Sequence, residues 1–240
     1  MENMKKLLLS LSAVLFLLFV VSCDKATNTT NGYFDGIFTV YGHTIMPELE
    51  DTSYVVGDLS SYGLKTGDRA LMRVKYNIDN VYGLLYAKWS VDKVYEVIEP
   101  GEITSGDDIA EGDFQSSILG VAEFLNYGAV WTWNGLQNIY VGYECDGSEP
   151  EFRMIAPEIK NDTLQLSLVA RMKSGDKQYV KLLSYDLTTA YPLLDTEAQN
   201  AIIRYDSINT KINVRYYDYV EEVAVPGVII GGKLKNPFKK

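Results

Sequence analysis

Few side chains in this sequence have the type and spacing that covalent or acid–base chemistry requires. The chain has one histidine, His43, and two cysteines, Cys23 and Cys145. A Ser-His-Asp or Cys-His catalytic group would have to use His43, and no G-x-S-x-G turn is present to supply the serine. A zinc site of nitrogen and sulfur needs more ligands than one histidine and one distant cysteine provide. His43 therefore reads as an exposed or hydrogen-bonded loop residue. Gly227–Lys233 matches the G-x-x-x-x-G-K spacing of a phosphate-binding loop. Leu234 stands where the magnesium-binding Ser or Thr belongs, however, and Pro237 follows too soon for a phosphate-cradling helix. Asp107, Asp108, Glu111 and Asp113 miss the regular ligand series of a calcium loop and read as a solvated linker. Carboxylate pairs for glycoside hydrolysis need be close only in space, so the sequence cannot choose one. No catalytic, cofactor-binding or metal-binding residue is assigned, and the expectation is a protein that is not an enzyme.

Cys23 differs from these because its surroundings specify its chemistry. Lys5 and Lys6 precede an apolar run, Leu7–Val21, which closes at Val20-Val21-Ser22-Cys23. A positive start, a short apolar core and a small residue at the end form the pattern of a cleaved secretory signal. As a helix the run spans roughly 22 Å at about 1.5 Å per residue, short of the ~30 Å hydrocarbon core. The ending resembles the lipobox of bacterial lipoproteins, in which a cysteine thiolate accepts a diacylglyceryl group and then becomes the first residue of the mature protein. One acyl chain anchors only reversibly; the two or three of a lipoprotein hold it permanently. The reading is a signal peptide at 1–22, a lipidated Cys23, and a polar tether at 23–32 that lifts the domain off the membrane.

Bulk composition narrows the partners. The chain carries 22 basic and 32 acidic side chains, a net charge of −10. Loss of Lys5, Lys6 and Glu2 with the signal leaves the mature chain slightly more negative still. That balance argues against nucleic acid or anionic lipid as a partner, since both are repelled. With Cys23 lipidated, Cys145 is the one thiol left, so no internal disulfide supports the fold. A small buried side chain at a strand end is the reading adopted for it.

The elements are almost all strands. Phe34–Tyr41 is aromatic and β-branched and stops at Gly42; Ser53–Leu59 is a short second candidate. In Arg69–Ile78, Met72, Val74, Tyr76 and Ile78 alternate with polar residues, the pattern of a half-buried strand. Leu84–Ile98 continues as a long strand, with Leu85, Ala87, Trp89 and Val91 on one face of a small barrel. Glu99–Asp108, with Pro and two glycines, reads as a boundary. Beyond it lie Asn138–Glu144, an alternating Leu164–Met172, a hairpin turn at Lys173–Lys177 into Gln178–Leu187, a short helix near Thr196–Arg204, and a last strand, Lys211–Val220. The expected fold is all-β: a small barrel at 33–105, an antiparallel β-sandwich at 106–225, and a loose tail at 226–240, with Val228–Ile230 as an edge strand at most. Trp131 and Trp133, two apart, are expected in the core, while Tyr216, Tyr217 and Tyr219 are candidates for an exposed aromatic platform.

The lipobox, Gly67–Ile78 (GDRALMRVKYNI), Ala87–Ile98 ending in Val-Tyr-Glu-Val-Ile, and Leu164–Met172 followed by Lys177–Leu187 together resemble the NigD-like lipoproteins. That resemblance implies an N-terminal OB-type barrel and a C-terminal β-sandwich. It carries no catalytic motif, and it brings a suggested role in bacteriocin immunity. The functional expectation is a lipid-anchored envelope protein of the outer membrane, its facing undecided, acting as a binding or accessory module toward an unknown envelope protein. The alternative is a surface lipoprotein that binds glycan through an OB face or aromatic platform.

Overall fold

A computed structural model describes residues 30–81, 84–106, 117–125 and 127–237. The expected signal segment, Cys23 and the tether up to residue 29 lie outside the described residues, as do the acids Asp107, Asp108, Glu111 and Asp113. The tether expected to run to Gly32 ends earlier, because Thr30, Asn31 and Gly32 already pair with Ile78, Asn77 and Tyr76. Among the described residues no helix is long and apolar enough to cross a membrane.

The first sheet contains β1 (Thr30–Tyr41), β2 (Thr44–Pro47), β3 (Tyr54–Val55), β4 (Arg69–Val81) and β5 (Leu84–Val97), in the order β3-β2-β1-β4-β5. The alternation read in β4 puts Met72 and Val74 fully inside, beside Phe38, Val40 and Ile45. Bulges in β5 opposite Leu71/Met72 and Arg73/Val74 curl the sheet. Curling brings β3 to β5, where Tyr54 stacks on Trp89 with centroids 4.0 Å apart. Trp89 and Val91 face this core as expected, whereas Ala87 is exposed. The curled sheet is a half-barrel, consistent with the small barrel expected from the sequence.

The second sheet has nine strands. They are β6 (Gly101–Thr104), β7 (Gly120–Val121), β8 (Val130–Trp133), β9 (Leu136–Cys145), β10 (Glu151–Lys160), β11 (Thr163–Arg171), β12 (Lys177–Asp186), β13 (Ser207–Asp218) and β14 (Val223–Lys235). Their order is β14-β13-β11-β10-β6-β12-β9-β7, with β8 beside β9. The sheet folds over at β6, which pairs with both β10 and β12, so its two wings enclose one core containing Ile139, Met154, Leu164, Leu166 and Ile212. Buried Gln137 on β9 fastens the open ends. Its Oε1 accepts from Thr210 Oγ1 and from the Gly232 amide, each at 3.1 Å. A helix, α1 (Thr196–Tyr205), capped by the Asp195 side chain accepting from Ala198 N, covers one end with Ile202 inward.

Several expectations need correction. The stretch read as a boundary contains β6, which belongs to the second sheet, so the change of sheet falls between Val97 and Gly101. Lys173–Lys177 is not a hairpin turn: β11 pairs with β10 and β13, and β12 with β9 and β6. The loop crosses from one wing to the other, held where the Asp146 amide donates to the Lys173 carbonyl. The sandwich is mixed and not purely antiparallel, because β6·β10, β6·β12 and β11·β13 run parallel. Residues 226–235 form no loose tail; they continue β14 along most of β13. Pro226, where the expected tail began, is tolerated within β14 because β14 is an edge strand. The phosphate-loop look-alike Gly227–Lys233 is part of this strand.

Candidate functional site

Two surfaces and one internal junction emerge from the chemistry-bearing residues. The junction locks the sheets together. Trp131, Asn138 and Ser184 lie side by side across β8, β9 and β12. Arg69, at the start of β4, reaches them: Nη1 donates to Ser184 Oγ at 2.9 Å and Nη2 to Asn138 Oδ1 at 2.8 Å. Its Nε pairs with Glu48 Oε1, while Glu48 Oε2 accepts from the Trp131 indole at 2.9 Å. Arg69 and Glu48 are 5% and 2% exposed, so this pair is removed from water yet has a partner on each charged atom group. Beside it, Phe124, Tyr127 and Trp131 form a cluster of mutually stacked rings packed with Ile37 of β1. The Tyr127 hydroxyl accepts from the Ile37 amide at 3.0 Å, and burial pushes its phenol up to about 12. Trp131 is thus core, as expected, while Trp133 is half-buried against the same cluster. The single-sequence pattern could not show Arg69 or Glu48 as partners, because they meet only when the two sheets dock.

The first surface is the tip of the β13–β14 hairpin. A four-residue turn joins Asp218 to Val223, and Asp218 Oδ1 accepts from the amides of Val220 and Glu221. Tyr217 and Tyr219 meet edge to face at 5.0 Å. Val220 is 92% exposed, and Tyr219, Val223, Val228 and Ile230 are exposed around and behind it. Of the three tyrosines singled out in the sequence, Tyr216 instead packs on the core. It lies across Gly227, where a Cβ would come within 2.3 Å of its ring. A run of solvated apolar side chains on a long arm is the pattern of a surface awaiting a partner.

The second surface is a cleft where α1 meets the β10–β11 turn. Asp162 and exposed Tyr205 are shared by two adjoining hollows, one lined also by Asn200 and Arg204 and the other by Asn209 and Lys233. An aromatic face ringed by planar polar groups suits a sugar. Nothing in the local sequence marks it, since its members lie on separate elements.

The remaining singled-out residues hold no site. His43 is exposed in the β1–β2 turn. Cys145 is buried at the end of β9, its thiol donating to the Ser148 carbonyl at 3.4 Å. Among the described residues no three His, Cys, Asp or Glu side chains gather as metal ligands would.

No protein-family model matches the sequence, and no curated protein sequence does either. Solved structures do share the architecture. A NigD-like immunity protein from Bacteroides caccae ATCC 43185 superposes with a TM-score of 0.55 at 15% identity, over 82% of this chain and 96% of that one. The chain has the NigD-like fold. A candidate lipoprotein from Bacteroides fragilis NCTC 9343 matches similarly, with a TM-score of 0.56 at 11% identity, over 87% of this chain and all of that one. The NigD-like architecture thus extends over both sheets, and the barrel and sandwich expected from the strand patterns are its two halves.

Proposed function

We propose that this protein is a lipid-anchored cell-envelope protein, held through Cys23 in the outer membrane, that works without catalysis as an accessory binding module for another protein. The observation carrying this reading is the apolar hairpin tip formed by Tyr217, Tyr219, Val220 and Val223 on a body made rigid by the buried junction. Aromatic side chains on a rigid support supply most of the energy of protein recognition. Immunity to a bacteriocin is one form such binding takes: an anchored domain intercepts a toxin at the membrane. The description of the Bacteroides caccae protein as NigD-like and an immunity protein supports that form.

Crosslinking and pull-down from intact cells tests it, comparing the natural chain with Cys23→Ala and with Tyr219→Ser/Val220→Ser. One protein recovered with the natural chain, and lost with both variants, is the expected result. Equal recovery with the tip variant would overturn the reading. The Tyr205 cleft favours a second reading, glycan binding, which predicts that Tyr205→Ala abolishes retention on a glycan panel.

A further inference from the structure

The outer face of the first sheet is divided in two. Ile37 and Leu71 occupy the half covered by Phe124 and Tyr127 of the β7–β8 connection and by Trp131 of β8. The other half, toward the Thr30 end, is open. Tyr33 and Asp35 of β1 lie opposite Lys75 and Arg73 of β4, which lie beside Lys93 and Tyr95 of β5. Lys75 sits 6.0 Å from the Tyr33 ring centre, and Lys93 sits 4.7 Å from that of Tyr95. Arg73 grips Asp35 with two 2.9 Å bonds, holding that carboxyl below its usual range. Lys88, opposite Asn77, adds a further exposed cation next to the tether exit.

We infer that this open half-face rests on the anionic phosphate headgroups of the membrane that holds the anchor. The inference depends on the lipidated Cys23 of the reading above. Two observations carry it. The first is reach: β1 begins at Thr30, and the residues from Cys23 to Thr30 span about 25 Å at most when fully extended, at ~3.5 Å each. With β1 starting at Thr30, the tether is shorter than the sequence suggested, and in place of lifting the domain off the membrane it keeps the surface around its exit within reach of it. The second is chemistry. Lysine and tyrosine are side chains suited to the headgroup layer, since each pairs an apolar body with a polar or charged tip.

The chain's overall negative charge does not oppose contact at this face. Charges farther away than the ~8 Å screening length act weakly in physiological salt, so the groups on the face itself decide. Asp35 is occupied by Arg73, and Asp79 also has a partner. Asp92, exposed at the bulge, and Glu96, exposed opposite Leu71, work against contact. Lys75, Lys88 and Lys93 outnumber them.

Lysine acylation read by mass spectrometry tests this on the natural lipoprotein reconstituted into vesicles. One set is phosphatidylcholine alone; the other contains equal amounts of phosphatidylcholine and phosphatidylglycerol. Each lysine near an anionic surface strengthens the contact as a whole about five-fold. Lys75, Lys88 and Lys93 should therefore label together at least about five-fold more slowly in the anionic vesicles, while exposed Lys177 and Lys211 keep one rate in both. Lys75→Glu/Lys93→Glu should return Lys88 to its rate in phosphatidylcholine. Equal labelling of all five lysines in both vesicles overturns the membrane contact alone, as does protection seen in cells but not in vesicles, which would point to another occupant. An N-terminal peptide without acyl mass overturns the anchor, and the membrane contact with it.

Discussion

Removing one partner of the buried junction should cost far more than removing both. Arg69→Met leaves the Glu48 carboxylate, 2% exposed, facing only the Trp131 indole. It also strips Ser184 Oγ and Asn138 Oδ1 of their donor, beside an Asn138 Nδ2 that already has no partner. Breaking a buried ion pair from one side costs about 3–5 kcal/mol, and Glu48→Leu should cost a similar amount by stranding the guanidinium. Domains of ordinary stability have only about 5–15 kcal/mol in total. The double variant Arg69→Met/Glu48→Leu buries no lone charge, and methionine and leucine fill much of the vacated space. What remains is the cost of the unpaired indole N–H, hydroxyl and amide, about 1–3 kcal/mol per uncompensated group and reduced where side chains re-pair. The double variant should thus be at least ~2 kcal/mol more stable than the sum of the single losses implies. Urea unfolding followed by tryptophan fluorescence, run on all four proteins, measures the cycle. Losses below ~1 kcal/mol for the single variants, or strict additivity in the double, would refute the account of the junction as a desolvated pair.

Three other outcomes follow from the same structure. The Tyr127 phenol, raised to about 12 by burial, binds its proton more tightly folded than unfolded, where its pKa is ~10. Its contribution is intact below pH ~10 and is lost as pH climbs toward 12, by roughly 2–3 kcal/mol; Tyr127→Phe should flatten that portion of an alkaline unfolding curve, and an unchanged curve would count against the burial. At Gly175, a Cβ would come within 2.2 Å of the Asp146 amide nitrogen, which is backbone and cannot swing aside. Gly175→Ala should lower the thermal midpoint sharply through the wing-to-wing crossing, and a neutral result would show that the crossing yields easily. The Cys145 thiol, 1% exposed, should resist a thiol reagent until the protein unfolds, so immediate labelling in native buffer would place it at the surface.

The fold was readable where burial follows a local period. Met72 and Val74 in β4, and Leu164, Leu166, Leu168 and Ala170 in β11, alternate strictly and are buried as the alternation demands. Pairing was harder to read. Alternating strands flanking Lys173–Lys177 look the same whether they hydrogen-bond to each other or turn into opposite wings. The deciding contacts, β12 with β9 and β11 with β13, are remote in sequence. Pro226 and the glycines of β14 disguised an edge strand as a tail, because the rules that break a central strand are relaxed at an edge. The tyrosines at 217 and 219 stood out by type and position, but which of the neighbouring three faces solvent depends on Gly227 receiving the ring of Tyr216. Arg69 and Glu48 gave no local signal at all, since their meaning arises only from the docking of the two sheets.

The most direct test of the binding account is a photo-crosslinking residue placed at Val220, the most exposed apolar side chain of the hairpin tip, in the anchored protein on living cells. One discrete protein adduct, absent when the same residue replaces exposed Ile203 on α1 and diminished by Tyr217→Ser/Tyr219→Ser, is the result expected. No adduct at Val220 beyond that seen from Ile203 would contradict the claim that the tip is where this protein meets its partner.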